Sequence, residues 1–343
     1  MQKLRLGVLG AGKTATWHLK SYRRIPQVEI VAIANPSSDR GERLAKKYKA
    51  RHFREAFALI EQVDMDALDI CVPTGLHKDF IVAALKKGLH VYSEKPLAAS
   101  QTEIEEIIVV NQGAKKIIFN GFNYRFLPEF RRIRSVIQRG KLGDIRYIRV
   151  FRTTKENPNS YIFGPHTSGL FNEFHSHFID LMFSFGFPDP EKVFACGTTV
   201  HQARLVPDTA TMVLNFPSQT IAEITVSLAS PGLAPEMLMI GTEGSLRLDY
   251  GCVSLVRKRD VWSLPESILL MFRESMTLPH RILKNPFQGA CAHFVDCVKR
   301  QTPTECDEHS ALRTFRVIQA AQMSYRENKP ISLSRVTSPS SIS

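Results

Sequence analysis

Glu94-Lys95-Pro96 closes a short apolar run, Gly88-Leu89-His90-Val91-Tyr92, that reads as a buried strand. The run delivers an acid, a base and a proline to the strand's carboxyl end, where open parallel α/β sheets bind their ligands. A lysine in such a crevice can steer a substrate hydroxyl or its proton. Alone, the tripeptide would serve equally as a surface turn.

A second stretch changes that balance. Gly10-Ala11-Gly12-Lys13-Thr14-Ala15 follows the alternating run Leu4 to Leu9 and opens a helix, which is the context a dinucleotide fingerprint requires. Gly10 permits the tight turn, Gly12 lets the backbone approach a pyrophosphate, and the free amides of the helix start hold its charge. About twenty residues on, the end of the run Val28 to Ala34 should read the adenosine ribose. NAD-specific sites usually place a carboxylate there, but this chain has Asn35, followed by Ser37, Ser38 and Arg40, which could receive a 2′-phosphate. The balance leans to NADP over NAD. The alternative is that Asp39 caps the next helix and Arg40 faces solvent.

With Cys71-Val72-Pro73-Thr74-Gly75-Leu76-His77, another strand end entering a helix, these stretches resemble the glucose-fructose oxidoreductase, inositol dehydrogenase and rhizopine-catabolism family (Gfo/Idh/MocA), from Leu6 to about Leu333. The resemblance implies that Pro73 and Thr74 lie beneath the nicotinamide ribose, with His77, Glu94 and Lys95 beside the cofactor. It implies a cis Lys95-Pro96 bond. Gly121-Phe122-Asn123-Tyr124-Arg125 resembles the family's crossover into a second domain, with Asn123 near the cofactor amide. Arg125 either holds an anionic or hydroxyl group of the substrate or pairs across the domain boundary.

Gly169 to Leu181 carries the family's glycine, acid, histidine and aspartate in order, with Glu173 where the family usually has Asp and His175 where it has a small residue. Four residues apart, Glu173 and His177 should share a helix face, with His175 on the other side. The change at His175 suggests an altered substrate pocket, and Tyr161, His166 and His175 are the pocket residues expected to fix the substrate. By resemblance, His177 is the expected general base, Lys95 holds the reacting oxygen, and Glu173 binds a neighbouring hydroxyl or fixes the His177 ring. The expected activity is hydride transfer between NAD(P) and a secondary alcohol of a sugar, cyclitol or sugar nucleotide. Rivals are a glycosidase using transient oxidation and a cofactor- or ligand-sensing protein without catalysis.

The expected fold is a doubly wound Rossmann domain over 1–122, then an α+β domain over 123–334 with a large, open, mostly antiparallel sheet. A disordered tail should occupy 335–343. The strand run from Ile145 to Val256 carries the second domain, and in the family such a sheet pairs subunits, so a homodimer or homotetramer is expected. Gln288 to Arg300 and Ser310 to Glu327 read as amphipathic helices returning to cover the first domain. The stretch 262–284 has no clean period and reads as a lid or an oligomer arm.

Composition supports a soluble chain. At 343 residues, 43% hydrophobic and 23% charged, it has no apolar run approaching a membrane span. The first residues enter a strand directly, so a cytoplasmic location is expected. Six scattered cysteines suggest reduced thiols. No metal is expected, because Cys291 and His293 point apart on a helix and so do not converge with Cys297, Cys306 and His309. The net charge of +12 is spread thinly and lacks interleaved aromatics, which disfavours nucleic acid but suits an anionic small substrate.

Overall fold

The computed structural model describes residues 2–155, 169–200, 207–249, 252–257 and 285–337. The expectations for Tyr161, His166 and 262–284 lie outside these residues. Two compact units divide the chain: Met1–Phe126 with Asn285–Leu312, and Leu127–Lys284 with Arg313–Ser343.

The first unit is built on six parallel strands: β1 (Leu4–Leu9), β2 (Val28–Ala34), β3 (Arg51–Phe53), β4 (Ala67–Ile70), β5 (His90–Ser93) and β6 (Ile118–Asn120). Their order is β3-β2-β1-β4-β5-β6. Helices α1 (Lys13–Tyr22), α2 (Ser38–Tyr48), α3 (Ala56–Gln62), α4 (His77–Lys86) and α5 (Gln101–Ala114) connect them. Strands of such sheets are covered on both faces and so read as near-continuous apolar runs; Ala67, Leu68, Asp69 and Ile70 of β4 are all fully buried. The strand order reverses between β1 and β4, which opens a crevice at their carboxyl ends.

The loop after β5 is pinned where α5 begins. Ser100 accepts a hydrogen bond from the Glu103 amide at 3.2 Å, and the Glu103 carboxylate accepts one from the Ala99 amide at 2.8 Å. Such reciprocal capping satisfies the free amides of a helix start.

Residues 285–312 complete this unit, whereas the sequence boundaries assign them to the second domain. Asn285 donates to the Trp17 carbonyl at 2.8 Å and to Ser21 Oγ at 2.6 Å. Helix Gln288–Arg300 then buries Ala290, Cys291, Phe294 and Val298 in one core with Leu19, Tyr22, Tyr92 and Phe119. Each fully buried large apolar side chain contributes roughly 1.5–3 kcal/mol. Burial pushes the Cys291 thiol up to about 12, while His293 contacts Thr304 Oγ1 at 3.1 Å and Cys297 Sγ at 3.3 Å.

The second unit opens with α6 (Pro128–Gln138) and the long strand β7 (Ile145–Lys155). After α7 (Ser176–Ser184) come β8 (Lys192–Thr198), β9 (Thr209–Asn215), β10 (Ile221–Ser227), β11 (Ala229–Gly241), β12 (Gly244–Asp249), β13 (Cys252–Arg257) and β14 (Ile331–Ser332). The sheet order is β13-β12-β11-β7-β10-β9-β8-β14, parallel between β7 and β10 and antiparallel elsewhere.

The period of two fixes its faces. Ile148, Val150, Met212, Leu214, Ile224 and Val226 are buried on one side. The other side is partly exposed and joins strands through Tyr147–Glu223 at 2.9 Å and Thr211–Thr225 at 2.9 Å. The chain end differs from the expected tail: Leu333–Thr337 is a short helix, because Leu333 and Val336, three apart, bury one face of it. No helix among the described residues is long and apolar enough to cross a membrane.

Candidate active site

Gly10 has φ +99°, and a Cβ there would run into the Cys71 carbonyl oxygen. The β1 turn therefore lies against the end of β4, tied to it by Cys71 N to Leu9 O at 2.9 Å and to the end of β2 by Gly10 N to Ala34 O at 2.8 Å. Gly12 is different: a Cβ there meets nothing within 4 Å, so the space its small size leaves lies open on the ligand side of the turn. Gly12 caps α1 without a side-chain acceptor, and the first turn carries no acid. The amides from Lys13 and Thr14 onward keep an anion-binding character, which fits a pyrophosphate.

Beside this turn lies a groove of about 460 Å³ lined by Ala11, Gly12, Lys13, Thr16, Arg40 and Arg43. Lys13, Arg40 and Arg43 are all exposed there. Arg43 was not singled out from sequence, although it stands one helical turn beyond Arg40 on α2 and so shares its face. Asn35 donates its side-chain amide to the Ser37 carbonyl at 3.0 Å, which holds the loop after β2. Ser37 is exposed at the start of α2 and makes no side-chain cap.

At the ends of β4 and β5, Pro73 is exposed and Thr74 half-buried in a short 3₁₀ turn. His77 is buried between the two loops, with Nε2 2.8 Å from the Val72 carbonyl and Nδ1 2.9 Å from the Pro96 carbonyl. Burial lowers its pKa, against the pull of these carbonyls. The sequence placed His77 beside the cofactor; the structure gives it the job of clamping the two loops that carry Thr74 and Lys95. The Lys95-Pro96 bond is cis, as expected, and Lys95 is half-buried.

Glu94 is fixed on several sides. Its amide donates to the Ile70 carbonyl at 3.0 Å, its carboxylate packs on Gly121, and its Oε1 lies 3.0 Å from His18 Nε2. Asn123 is buried in the 3₁₀ turn Asn123–Phe126. Arg125, next but one, donates to the Glu305 carbonyl at 2.8 Å with its side chain 7% exposed, a pairing within the first unit.

In the second unit, the helix bearing Glu173 and His177 is not regular. Phe171–His175 forms a π-turn, after which α7 carries His177 and Asp180, both buried. The wider i→i+5 pattern alters the offset between Glu173 and His177 from that of the α-helix on which a shared face was argued. Glu173 stays half-buried. His175, expected to reshape the substrate pocket, is fully buried on the sheet side of the helix, with Nδ1 3.4 Å from the Leu170 carbonyl and its ring stacked near Phe171. Burial pulls its pKa down to about 4, so it is a neutral core residue.

The family model described as the oxidoreductase family with an NAD-binding Rossmann fold, Gfo/Idh/MocA, matches residues 4–122, and its C-terminal domain model matches 130–247. The chain belongs to the Gfo/Idh/MocA family. Gfo/Idh/MocA proteins similar to it include the myo-inositol 2-dehydrogenase of Thermotoga maritima, 27% identical over 72% of this chain and 75% of that one. The scyllo-inositol 2-dehydrogenase (NAD(+)) of Bacillus subtilis is 25% identical over 96% of both.

The solved Lactobacillus casei scyllo-inositol dehydrogenase with bound NAD(H) and scyllo-inositol superposes with a TM-score of 0.79 at 21% identity, covering 97% of this chain and 99% of that one. That likeness shows the fold. As a Gfo/Idh/MocA member the chain is an NAD(P)-dependent oxidoreductase acting on CH–OH groups. The glycosidase and ligand-sensing alternatives find no support among these relatives.

Proposed function

We propose that this chain interconverts a secondary alcohol and a ketone on a cyclitol, a sugar or a sugar nucleotide, with NADP favoured over NAD. The observation that carries the reading is the crevice at β1, β4 and β5, where the Gly10–Gly12 turn closes on Cys71 and the Thr74, Glu94 and Lys95 loops follow in order. A dinucleotide crossing that switch point places its adenosine over β2 and its nicotinamide over β4 and β5. The cofactor supplies hydride acceptance and donation. Lys95 holds the reacting oxygen and favours its alkoxide character, His177 takes or returns the hydroxyl proton, and Glu173 orients a neighbouring hydroxyl.

The decisive experiment is turnover, followed at 340 nm, with NAD and NADP against myo-inositol, scyllo-inositol, common sugars and sugar nucleotides. Net reduction of the cofactor by one of these supports the reading; cleavage of a glycoside without net reduction overturns it. The partly exposed face of the second unit's sheet further supports self-association as a homodimer or homotetramer.

Cofactor choice rests on Lys13, Arg40 and Arg43 around the groove beside α1. A 2′-phosphate there meets cations and no carboxylate at position 35. Arg43→Ala is expected to weaken NADPH about 10-fold, the scale of one lost charge-assisted contact, and to leave NADH unchanged. Calorimetric titration of both cofactors checks this, and equal losses for both would contradict it.

A further inference from the structure

His18 lies on the second turn of α1, fully buried between two carboxylates. Its Nδ1 is 2.8 Å from Asp69 Oδ2 in β4, and its Nε2 is 3.0 Å from Glu94 Oε1 at the end of β5. The second contact is close but not aligned as a hydrogen bond. The Tyr92 and Phe287 rings pack on the imidazole at 4.8 and 4.7 Å, and Tyr22 stands edge-on at 6.4 Å. Cys71 Sγ donates to Asp69 Oδ1 at 3.2 Å.

A carboxylate as deep as Asp69 needs a polar partner, since it loses its hydration on burial. Burial alone would pull the His18 pKa down, but the Asp69 carboxylate beside it raises it above its ordinary value. The ring therefore donates from Nδ1 to Asp69 and turns Nε2 toward Glu94.

We propose that His18 is a positioning residue of the hydride-transfer site, a buried strut that holds Glu94 against Gly121 and so sets the loop carrying Lys95 under the nicotinamide. The inference rests on the NAD(P) reading above. Three observations converge on Glu94. Its backbone is tied to β4, a Cβ on Gly121 would stand 2.9 Å from its Oε1 and 3.1 Å from its Cα, and His18 Nε2 approaches that same oxygen to 3.0 Å. Glu94 keeps 15% of its side chain exposed, so the held carboxylate still reaches the crevice surface. Because His18 belongs to the helix whose start receives the pyrophosphate, one side chain links the cofactor's phosphate end to its nicotinamide end.

The test compares two ligands: the reduced dinucleotide that the wild-type protein binds more tightly, and the matching ADP-ribose or 2′-phospho-ADP-ribose, which lacks nicotinamide. His18→Phe keeps the ring packing and removes both ring nitrogens. It is expected to weaken the dinucleotide about 10-fold, as for one lost charge-assisted contact, and to leave the ADP-ribose compound unchanged. In a Glu94→Gln background the same substitution should add less than about 2-fold, because the strut then has nothing to hold. His18→Gln, which still donates to one side, should recover part of the loss.

Should Asp69, left without its polar partner, prevent His18→Phe from folding, Gly121→Ala gives the same comparison with the His18–Asp69 pair intact. Equal weakening of both ligands in these variants, or the same loss with and without Glu94, overturns the inference alone. A wild-type protein that binds neither ligand overturns the NAD(P) reading and this inference with it.

Discussion

Replacing His177 by alanine is expected to lower turnover on the order of 100-fold or more, the usual scale for loss of a general base, with NAD(P) affinity unchanged. The residue is buried on α7, immediately after the π-turn, in the unit that does not contain the fingerprint. Its removal therefore leaves the Gly10–Gly12 turn and the cationic groove intact. An imidazole ordinarily titrates near neutrality, so it can accept a hydroxyl proton and return it. Lys95 should behave differently, because a cation on the reacting oxygen acts in ground and transition states; Lys95→Ala should lose rate and raise KM together. Steady-state kinetics on a confirmed substrate, with cofactor binding measured separately, separates the two. Full activity in His177→Ala would sink the assignment and leave a bound water or another residue as base.

Gly10→Ala is expected to abolish dinucleotide binding and to lower the melting temperature by several degrees. A side chain at positive φ costs about 1–2 kcal/mol before any clash, and the new methyl would also meet the Cys71 carbonyl and push the β1 turn off β4. A loss of that size corresponds to about 2–4 °C per kcal/mol in a domain of about 150–250 residues. Gly12→Ala is the contrasting variant. Its Cβ touches nothing within 4 Å, so the melting temperature of the free protein should hold while dinucleotide affinity falls. Equal melting losses at both positions would show that Gly12 is needed by the fold and not by the phosphates.

Much of this could be read before any coordinates. β1 and β2 end where their apolar runs end, at Leu9 and Ala34, because a strand covered on both faces leaves no room for polar residues. β3 was not recognised: Arg51-His52-Phe53 is a three-residue edge strand, too short to carry a period. The return of Gln288 to Arg300 over the first domain was anticipated, but the same expectation for Ser310 to Glu327 was not met: from Arg313 onward the helix Glu308–Glu327 belongs to the second unit.

The π-turn at Phe171–His175 leaves no compositional trace, and it changed both the Glu173–His177 offset and the placing of His175. His18 and Asp69 were passed over, yet both carried a signal. His18 shares the buried face of α1 with Ala15, Leu19 and Tyr22, and Asp69 interrupts the otherwise apolar β4. A carboxylate in a strand buried on both faces requires a partner, and a histidine on the facing helix was the candidate.

The discontinuity of the first unit has a bearing on how the protein is made. Strands β1 to β6 leave the ribosome first, yet the helix that roofs Tyr22, Tyr92 and Phe119 begins only at Gln288. At about 5–20 residues per second, synthesis of the intervening stretch takes on the order of ten seconds or more. During that interval the nascent sheet has an open apolar wall over α1, which invites chaperone capture or aberrant self-association. Termination of translation anywhere before residue 285 would release a chain with the nucleotide fingerprint but without the lid of its own core, so proteolytic clearance, and not partial activity, is the expected fate of such products.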